Sequence, residues 1–464
     1  ASMAEREAWD WVAWLDLGWD GAALNGSQTE VSAALPVAAL TDLPDVQLTR
    51  EGAVSDLRTA LTRHAAERPF VDVCTGRVVS PATDGVSCGP LPLELRRVWR
   101  SSLTHQGPFG YGWLSRYDTA LQVEAGKVVH RLWDGETYEF PDLKERGQTH
   151  FVAEHRYGWQ RSARGYTLRT SDGHVQRYET KGPKVGQLLL SGIDAPSGYR
   201  LQLRHDAQGR LQDVVDGAGR IFTFTYDPSG RVMKVAGPHP DRAGARALVA
   251  QYGYDAKGDL TQVTDALGQI TRYRYVRHLL VQQTDRSGAS YYFKYTGSDP
   301  KARCLHAWAE GGLFERKLSY DDVRGITSVE DGLGSKTQYQ HDQGRLVRVV
   351  DANGGSRVFD YDRMGRKRAL TDALGRVTRY EYDSRGNVTA VTRPDASRIT
   401  ATYDAADRLQ VVEDATGTRF RFTYDLQGRL TERVDAQGGS TRYVYSGRDL
   451  VEIVDLGQAR YQPG

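Results

Sequence analysis

The sequence predicts an all-β fold, an array of antiparallel hairpins, and three observations carry that prediction. A Tyr-Asp or His-Asp dipeptide recurs at Asp321, Asp342, Asp362, Asp383, Asp404 and Asp425, at intervals of 21, 20, 21, 21 and 21 residues. A second beat falls between them at Asp331, Asp351, Asp372, Asp414 and Asp435, each followed three residues later by glycine. The composition agrees: 49 glycines and 25 tyrosines beside only 39% hydrophobic residues suit a turn-rich β protein better than a helical one. A fixed period of this size is the mark of a repeat architecture, in which each unit needs only its neighbours for a core.

Residues 1–70 differ from the rest. They begin with Trp9, Trp11, Trp14 and Trp19, of which Trp11 and Trp14, with Leu15, have the spacing of one helix face. Residues 1–56 hold ten acidic residues against Arg6 and Arg50, so the formal net charge of +2 hides an acidic start and a mildly basic remainder. A second short helix is expected from Ser55 through Leu57 and Leu61, stopped near Pro69. The expected role of this segment is an aromatic plug or cap. Ala1-Ser2-Met3 reads as a leftover of expression cloning.

Residues 71–200 read as strands of irregular spacing, with hairpins at Asp134-Gly135 and Asp172-Gly173. Residues 201–464 carry the period. Its turn position falls at Asp206, Asp227, Asp255, Val276, Thr296, Asp321, Asp342, Asp362, Asp383, Asp404, Asp425 and Ser446, and three of these twelve are degenerate. Asp at the first place of a four-residue turn can accept backbone amides ahead of it, and Gly at the fourth tolerates positive φ. The pairs Asp206/Gly209, Asp227/Gly230, Asp255/Gly258, Asp362/Gly365, Asp383/Gly386 and Asp425/Gly428 follow this rule.

Before each turn the residues alternate, as in Phe222, Phe224 and Tyr226, or Phe420, Phe422 and Tyr424, which is the period of a half-buried strand. In register, Tyr226, Tyr254, Tyr275, Tyr295, Tyr320, Tyr361, Tyr382, Tyr403, Tyr424 and Tyr445 would form a column of aromatic side chains. Unpaired edges of such an array predict self-association unless they are capped.

The run Tyr424-Asp425-Leu426-Gln427-Gly428-Arg429-Leu430, with Asp372-Ala373-Leu374-Gly375 for the second beat, resembles the Rhs/YD-repeat family. The stretch from Val71 to Asp118 is similar to the opening of the bacterial Rhs shell, through Gly89-Pro90-Leu91-Pro92-Leu93, Arg97-Val98-Trp99-Arg100-Ser101 and Gly110-Tyr111-Gly112-Trp113. Together these cover about 85% of the chain.

The resemblance implies a sheet winding into a hollow cocoon that encloses a C-terminal toxin, made in the bacterial cytoplasm and exported by type VI secretion. Its implied partners are the toxin domain, the rest of the shell, a PAAR/spike protein, a chaperone and a cognate immunity protein. A Tc insecticidal toxin shell, or a YD-repeat surface adhesin or carbohydrate-binding array, is the alternative. A PAAR-like module before residue 70 and the family's closing Arg-Tyr-Tyr-Asp-Pro signature are both missing; Tyr226-Asp227-Pro228-Ser229-Gly230-Arg231 imitates only part of the latter. The chain stops in mid-repeat after Asp455-Leu456-Gly457, so it is expected to be an N-terminal fragment of a longer shell.

No enzyme is expected within these residues. The aspartates follow turn periodicity, whereas acid-base chemistry needs a carboxylate pair in contrasting environments, and no Gly-x-Ser-x-Gly elbow frames a serine. No metal or other cofactor is expected, because His150 and His155 lack a third ligand nearby. Cys74, Cys88 and Cys304 have no metal or disulfide spacing and read as small buried hydrophobes. No signal peptide or membrane-spanning run is visible: the apolar-leaning stretch from Val31 to Leu43 is short and contains Pro36. The alternation Thr271-Arg272-Tyr273-Arg274-Tyr275 could stack bases or sugars, but a sheet with one aromatic and one solvated face explains it better, and no specific nucleic acid partner is expected.

Overall fold

A computed structural model of the chain describes residues 66–455, apart from 68–70, 88–90, 134, 153–155 and 171–172. The expected tryptophan plug, both N-terminal helices and Cys88 lie outside the described residues. Among the described residues the single helical element is a 3-10 turn at Glu310–Gly312.

One antiparallel sheet gathers 32 strands, from Ala120–Val123 to Asp449–Asp455. From Thr149–Val152 onward every strand pairs with the next in sequence. The hairpins at Gly135 and Gly173 are formed, with Arg131 opposite Thr137 and Arg169 opposite Val175. The strand Gln187–Asp194 has two partners on one side: its first half pairs with Ala120–Val123 and its second half with Arg200–His205.

Strand alternation fixes which face is packed. In Ile221–Tyr226, Phe222 and Phe224 are buried while Ile221 and Thr225 face solvent. In Arg419–Tyr424, Phe422 is buried between exposed Arg421 and Thr423. Because the strands alternate in direction, the Tyr-Asp turns all fall on one rim of the sheet and the second-beat turns on the other.

The two rims differ in pairing. Just before the Tyr-Asp turns, except that at Asp321, the register slips by one residue, as between Thr225 and Tyr226, Glu381 and Tyr382, and Thr423 and Tyr424. The pairings on either side of the second-beat turns, such as Val411–Arg421 and Glu432–Arg442, run without a slip, except in the hairpin of Val232–Pro238 with Arg246–Tyr254. A bulge bends its strand and raises the local twist, so the wall is bent along one rim in nearly every unit.

A smaller five-stranded sheet, containing Arg77–Val86, Glu94–Arg100 and Trp113–Ser115, belongs to the opening block. It lies across the packed face of the wall, and one hydrophobic core joins Val73, Trp99 and Trp113 to Phe224, Tyr252, Tyr273 and Val349. A second core runs on from Tyr380 to Tyr443.

The sheet also returns on itself. Arg156 donates to the Asn387 side chain across 231 residues, and Tyr199 to Asp449 across 250. A Cβ at Gly428 would meet Pro196, and one at Gly198 would meet Arg448. At this seam the Tyr-Asp rim of the later repeats sits on the opposite rim of the earlier strands.

Candidate functional site: the Tyr-Asp turn and the clamp behind it

Five of the repeats build the same small device. In the unit at Asp425, Oδ1 accepts the amides of Gln427 and Arg429, both at 2.9 Å, while Oδ2 accepts Arg429 Nε at 2.6 Å. The Arg429 guanidinium then lies 4.3 Å over the ring of Tyr445 in the next unit and donates to the Gly447 carbonyl at 2.7 Å. Asp206, Asp227, Asp362 and Asp404 repeat the aspartate-arginine pair with Arg210, Arg231, Arg366 and Arg408. Gly209, Gly230, Gly258, Gly365, Gly386 and Gly428 hold φ between +77° and +87°, and Asp407 takes the same left-handed place in the unit at Asp404 with φ of 64°.

The remaining predicted turn residues vary. Asp255 and Asp383 accept the turn amides, but the arginine is replaced by Asp259 and Asn387. Asp321 accepts Val323 and Arg324 amides in a longer loop closed at Ile326. Asp342 departs from the expectation: it pairs with Arg345 across a two-residue turn of Gln343 and Gly344, with φ of 48° and 77°. Its glycine stands third in the turn, not fourth, so the four-residue rule does not apply there. The degenerate turn at Val276 is built the same way through Arg277 and His278.

The tyrosines serve a purpose the sequence reading missed. Tyr226, Tyr295, Tyr361, Tyr382, Tyr403, Tyr424 and Tyr445 each donate their hydroxyl to a backbone carbonyl fifteen residues back, at 2.6–2.9 Å. Tyr320 reaches the carbonyl of Cys304 and Tyr254 that of Val232. Tyr275 instead accepts from Trp113 Nε1 at 3.0 Å. Tyr226, Tyr254, Tyr320, Tyr382, Tyr424 and Tyr445 each lie against an arginine of the preceding unit, 4.2–4.9 Å away. The signal was present as the arginine that follows Gly209, Gly230, Gly365 and Gly428.

Electrostatics follow from the geometry. Burial pushes the Asp362 carboxyl up, but the Arg366 amide and guanidinium override it and hold the group below the usual carboxylate range. Burial raises the Tyr361 hydroxyl to about 12. These groups stay charged and neutral, respectively, at neutral pH. That suits fixed hydrogen bonding and not proton transfer.

The second construction ties the opening block to the wall. Arg97, fully buried, donates to both carboxylate oxygens of Asp84 at 2.6 and 3.0 Å and to the Tyr273 hydroxyl at 3.0 Å. Its guanidinium stands 4.0 Å over the Trp113 ring, and the Tyr252 hydroxyl closes the group by donating to Asp84 at 2.9 Å. Burial pushes the Arg97 pKa down, but Asp84 and the two tyrosines override it, so the guanidinium is held well above its ordinary value. Around this clamp, Val232 N donates to the Pro108 carbonyl and Tyr111 N to that of Gly258, with Tyr111 stacked 4.0 Å from His278. Gly110 permits the approach: a Cβ there would stand 2.6 Å from the Gly258 oxygen. The aromatic face of Tyr273 and Tyr275 is thus covered by the opening block.

Cys74 and Cys304 are buried thiols, and burial pushes Cys304 up to about 12, which leaves it unreactive. Among the described residues no three His, Cys, Asp or Glu side chains come together as metal ligands. No helix among them is long and apolar enough to cross a membrane.

A wall of sequential hairpins, pinned at one rim by Tyr-Asp-Arg contacts, defines a YD-repeat β protein. The RHS repeat profile matches residues 205–239, 254–290, 320–356, 361–398 and 403–440, and a domain of unknown function, DUF6531, matches 69–140. The chain belongs to the Rhs/YD-repeat family. It is 28% identical over 281 residues to the double-stranded DNA deaminase toxin A of Burkholderia cenocepacia, covering 59% of this chain and 19% of that protein. It is 29% identical over 186 residues to the toxin protein Tse5 of Pseudomonas aeruginosa, covering 35% of this chain and 14% of that one. Its span is therefore about a fifth or less of these relatives. Among solved structures it resembles a TcdB2-TccC3-Cdc42 complex at 13% identity and a TM-score of 0.41, over 82% of this chain and 23% of that one.

Proposed function

We propose that this chain is a wall segment of an Rhs-type toxin shell. In this reading it forms part of a cocoon that encloses a C-terminal toxin domain for delivery by type VI secretion. The observation that carries the reading is the seam: the sheet meets itself after about one lap. The 24 strands from Arg200–His205 to Asp449–Asp455, spaced at ~4.8 Å, give a girth of roughly 115 Å and a width of roughly 37 Å between backbones. Such a lap, extended by further repeats, suits a container, and the turn aspartates and buried tyrosines serve it as structure without catalysis. The opening block starts the wall, and the Trp-rich segment is proposed as its plug. In the whole polypeptide the remaining partners would be the rest of the shell, a spike protein, a chaperone and an immunity protein.

The test is limited proteolysis of the whole native polypeptide. The expected result is a C-terminal domain that resists trypsin in the intact particle and is digested when the opening block is loosened by Asp84→Ala. A C-terminal domain cut equally fast in both proteins refutes enclosure.

A further inference from the structure

The first strands of the large sheet close on themselves. Because Gln187–Asp194 pairs with Ala120–Val123 as well as with its neighbours in sequence, the eight strands between and including these two form a small barrel. A barrel of eight strands has an interior just wide enough for side chains to fill. Here aromatic rings fill it around a histidine: His130, Trp159, Tyr166 and Tyr178 are each no more than 1% exposed. The barrel is also a junction. The Asp118 amide just ahead of it bonds the Ser115 carbonyl of the opening block, and Arg156, between two of its strands, makes the seam with Asn387.

Counting hydrogens fixes the state of the His130 ring. Thr119 Oγ1 gives its hydrogen to the Arg131 carbonyl at 2.7 Å, and the Tyr178 hydroxyl gives its own to Gln176 Oε1 at 2.8 Å. Both oxygens lie 2.9 Å from His130 Nε2 and accept from it, so Nε2 carries a hydrogen. Nδ1 lies 2.9 Å from the Tyr138 hydroxyl, whose oxygen accepts Trp159 Nε1 at 2.9 Å, so Tyr138 donates to Nδ1. The ring is therefore neutral with both nitrogens engaged. A second proton, on Nδ1, would aim two N–H groups at one phenol oxygen, displace its hydrogen and set a charge in a sealed interior.

The groups that face the ring, Tyr138, Trp159 and Tyr178, are uncharged, and burial holds the Tyr138 hydroxyl well above its ordinary value. Tyr157 stands behind Tyr138, and His150 stacks on Phe140, which stacks in turn on Trp159. The nearby charges are engaged elsewhere: Asp118 with Arg131 at 3.0 Å, and Asp142 with Lys144 and the Tyr166 hydroxyl.

We propose that this barrel is an acid-sensitive joint at the start of the wall, closed while His130 is neutral and opened when the ring takes a proton. In an opened barrel the ring meets water and titrates near the ordinary histidine value of about 6.5. Closure is thus fully favoured above that pH and weakens below it, by about 30-fold at pH 5.0.

The test is hydrogen exchange of the 464-residue chain from pH 8.0 to pH 5.0, each rate divided by the intrinsic rate at its pH. In the wild type, protection of Lys127–Arg131 and Tyr157–Arg161 should be level at high pH, bend near pH 6.5 and fall about 30-fold by pH 5.0. His130→Gln keeps a donor and an acceptor without a titrating ring and should give a level line. His205→Tyr removes the other buried ring of the early strands and should leave the bend in place, which also serves where His130→Gln does not fold. A level wild-type line, a bend that persists in His130→Gln, or a bend that disappears in His205→Tyr each overturns the proposal.

Discussion

Replacing Asp84 by alanine tests how the opening block is held to the wall. The variant leaves the Arg97 guanidinium buried, with the Tyr273 hydroxyl and the Trp113 face but without its counter-ion, and leaves the Tyr252 hydroxyl without its acceptor. Breaking a buried ion pair by removing one partner costs about 3–5 kcal/mol, since the surviving charge is uncompensated. The strand Ile270–Val276 carries Tyr273 and Tyr275, so its amides should report the loss. Hydrogen exchange there should accelerate roughly 10²–10⁴-fold, about tenfold per 1.4 kcal/mol, while strands in the second core from Tyr380 to Tyr443 should exchange as before. Replacing both partners, Asp84→Leu with Arg97→Met, should recover most of the loss, because an apolar pair of similar volume needs no desolvation. An Asp84→Ala variant with unchanged exchange in Ile270–Val276, or a double variant no better than the single one, refutes the reasoning.

Three further outcomes follow from the repeat. Asp425→Ala removes the acceptor of two amides and the Arg429 pair and should cost about 1–3 kcal/mol, whereas Asp342→Ala, in a two-residue turn, should cost under about 0.5 kcal/mol; urea unfolding of the two variants side by side distinguishes them. Tyr424→Phe keeps the ring against Arg408 but strips the Leu409 carbonyl of its donor, for a loss of about 1 kcal/mol, read as faster exchange in Leu409–Glu413. His205 replaces the repeat tyrosine, and burial lowers its pKa from 6.5 to about 4 with Nδ1 left unpaired. The unfolded chain therefore binds the proton more readily, so stability is full above pH 6.5 and falls as pH drops toward 4. The loss reaches about 3 kcal/mol at 1.36 kcal/mol per pK unit, and His205→Tyr should flatten that slope in urea midpoints taken from pH 4 to 7.

The hairpin array was legible because its causes are local: the Asp-to-Gly spacing, the alternation before it and the positive φ at the turn all lie within a few residues. The role of the tyrosines was not, because the carbonyl they reach lies about fifteen residues back, on the far side of the second-beat turn, and becomes a neighbour only once the strands pair. The arginine after the turn glycine was visible in the sequence, yet its ring partner belongs to the next unit. Asp342 shows the limit of periodicity: it keeps the beat, but Gly344 comes one residue early and changes the turn. The Asp84-Arg97 clamp left no trace in any window, since Tyr252 and Tyr273 stand 168 and 176 residues away from the groups they meet.

The backward reach of the tyrosines also bears on how the chain is made. Tyr361 and Tyr382 donate to carbonyls synthesised before them, Leu346 and Lys367. A hairpin leaving the ribosome can therefore be fastened at once to the part of the wall already present, without waiting for sequence still to come. The seam is different, because Asn387 and Asp449 must find Arg156 and Tyr199, made 231 and 250 residues earlier. At translation rates of about 5–20 residues per second, that interval leaves the first lap open for roughly 10–50 seconds. For that time the rim that carries Arg156 and Tyr199 is without the contacts that later cover it.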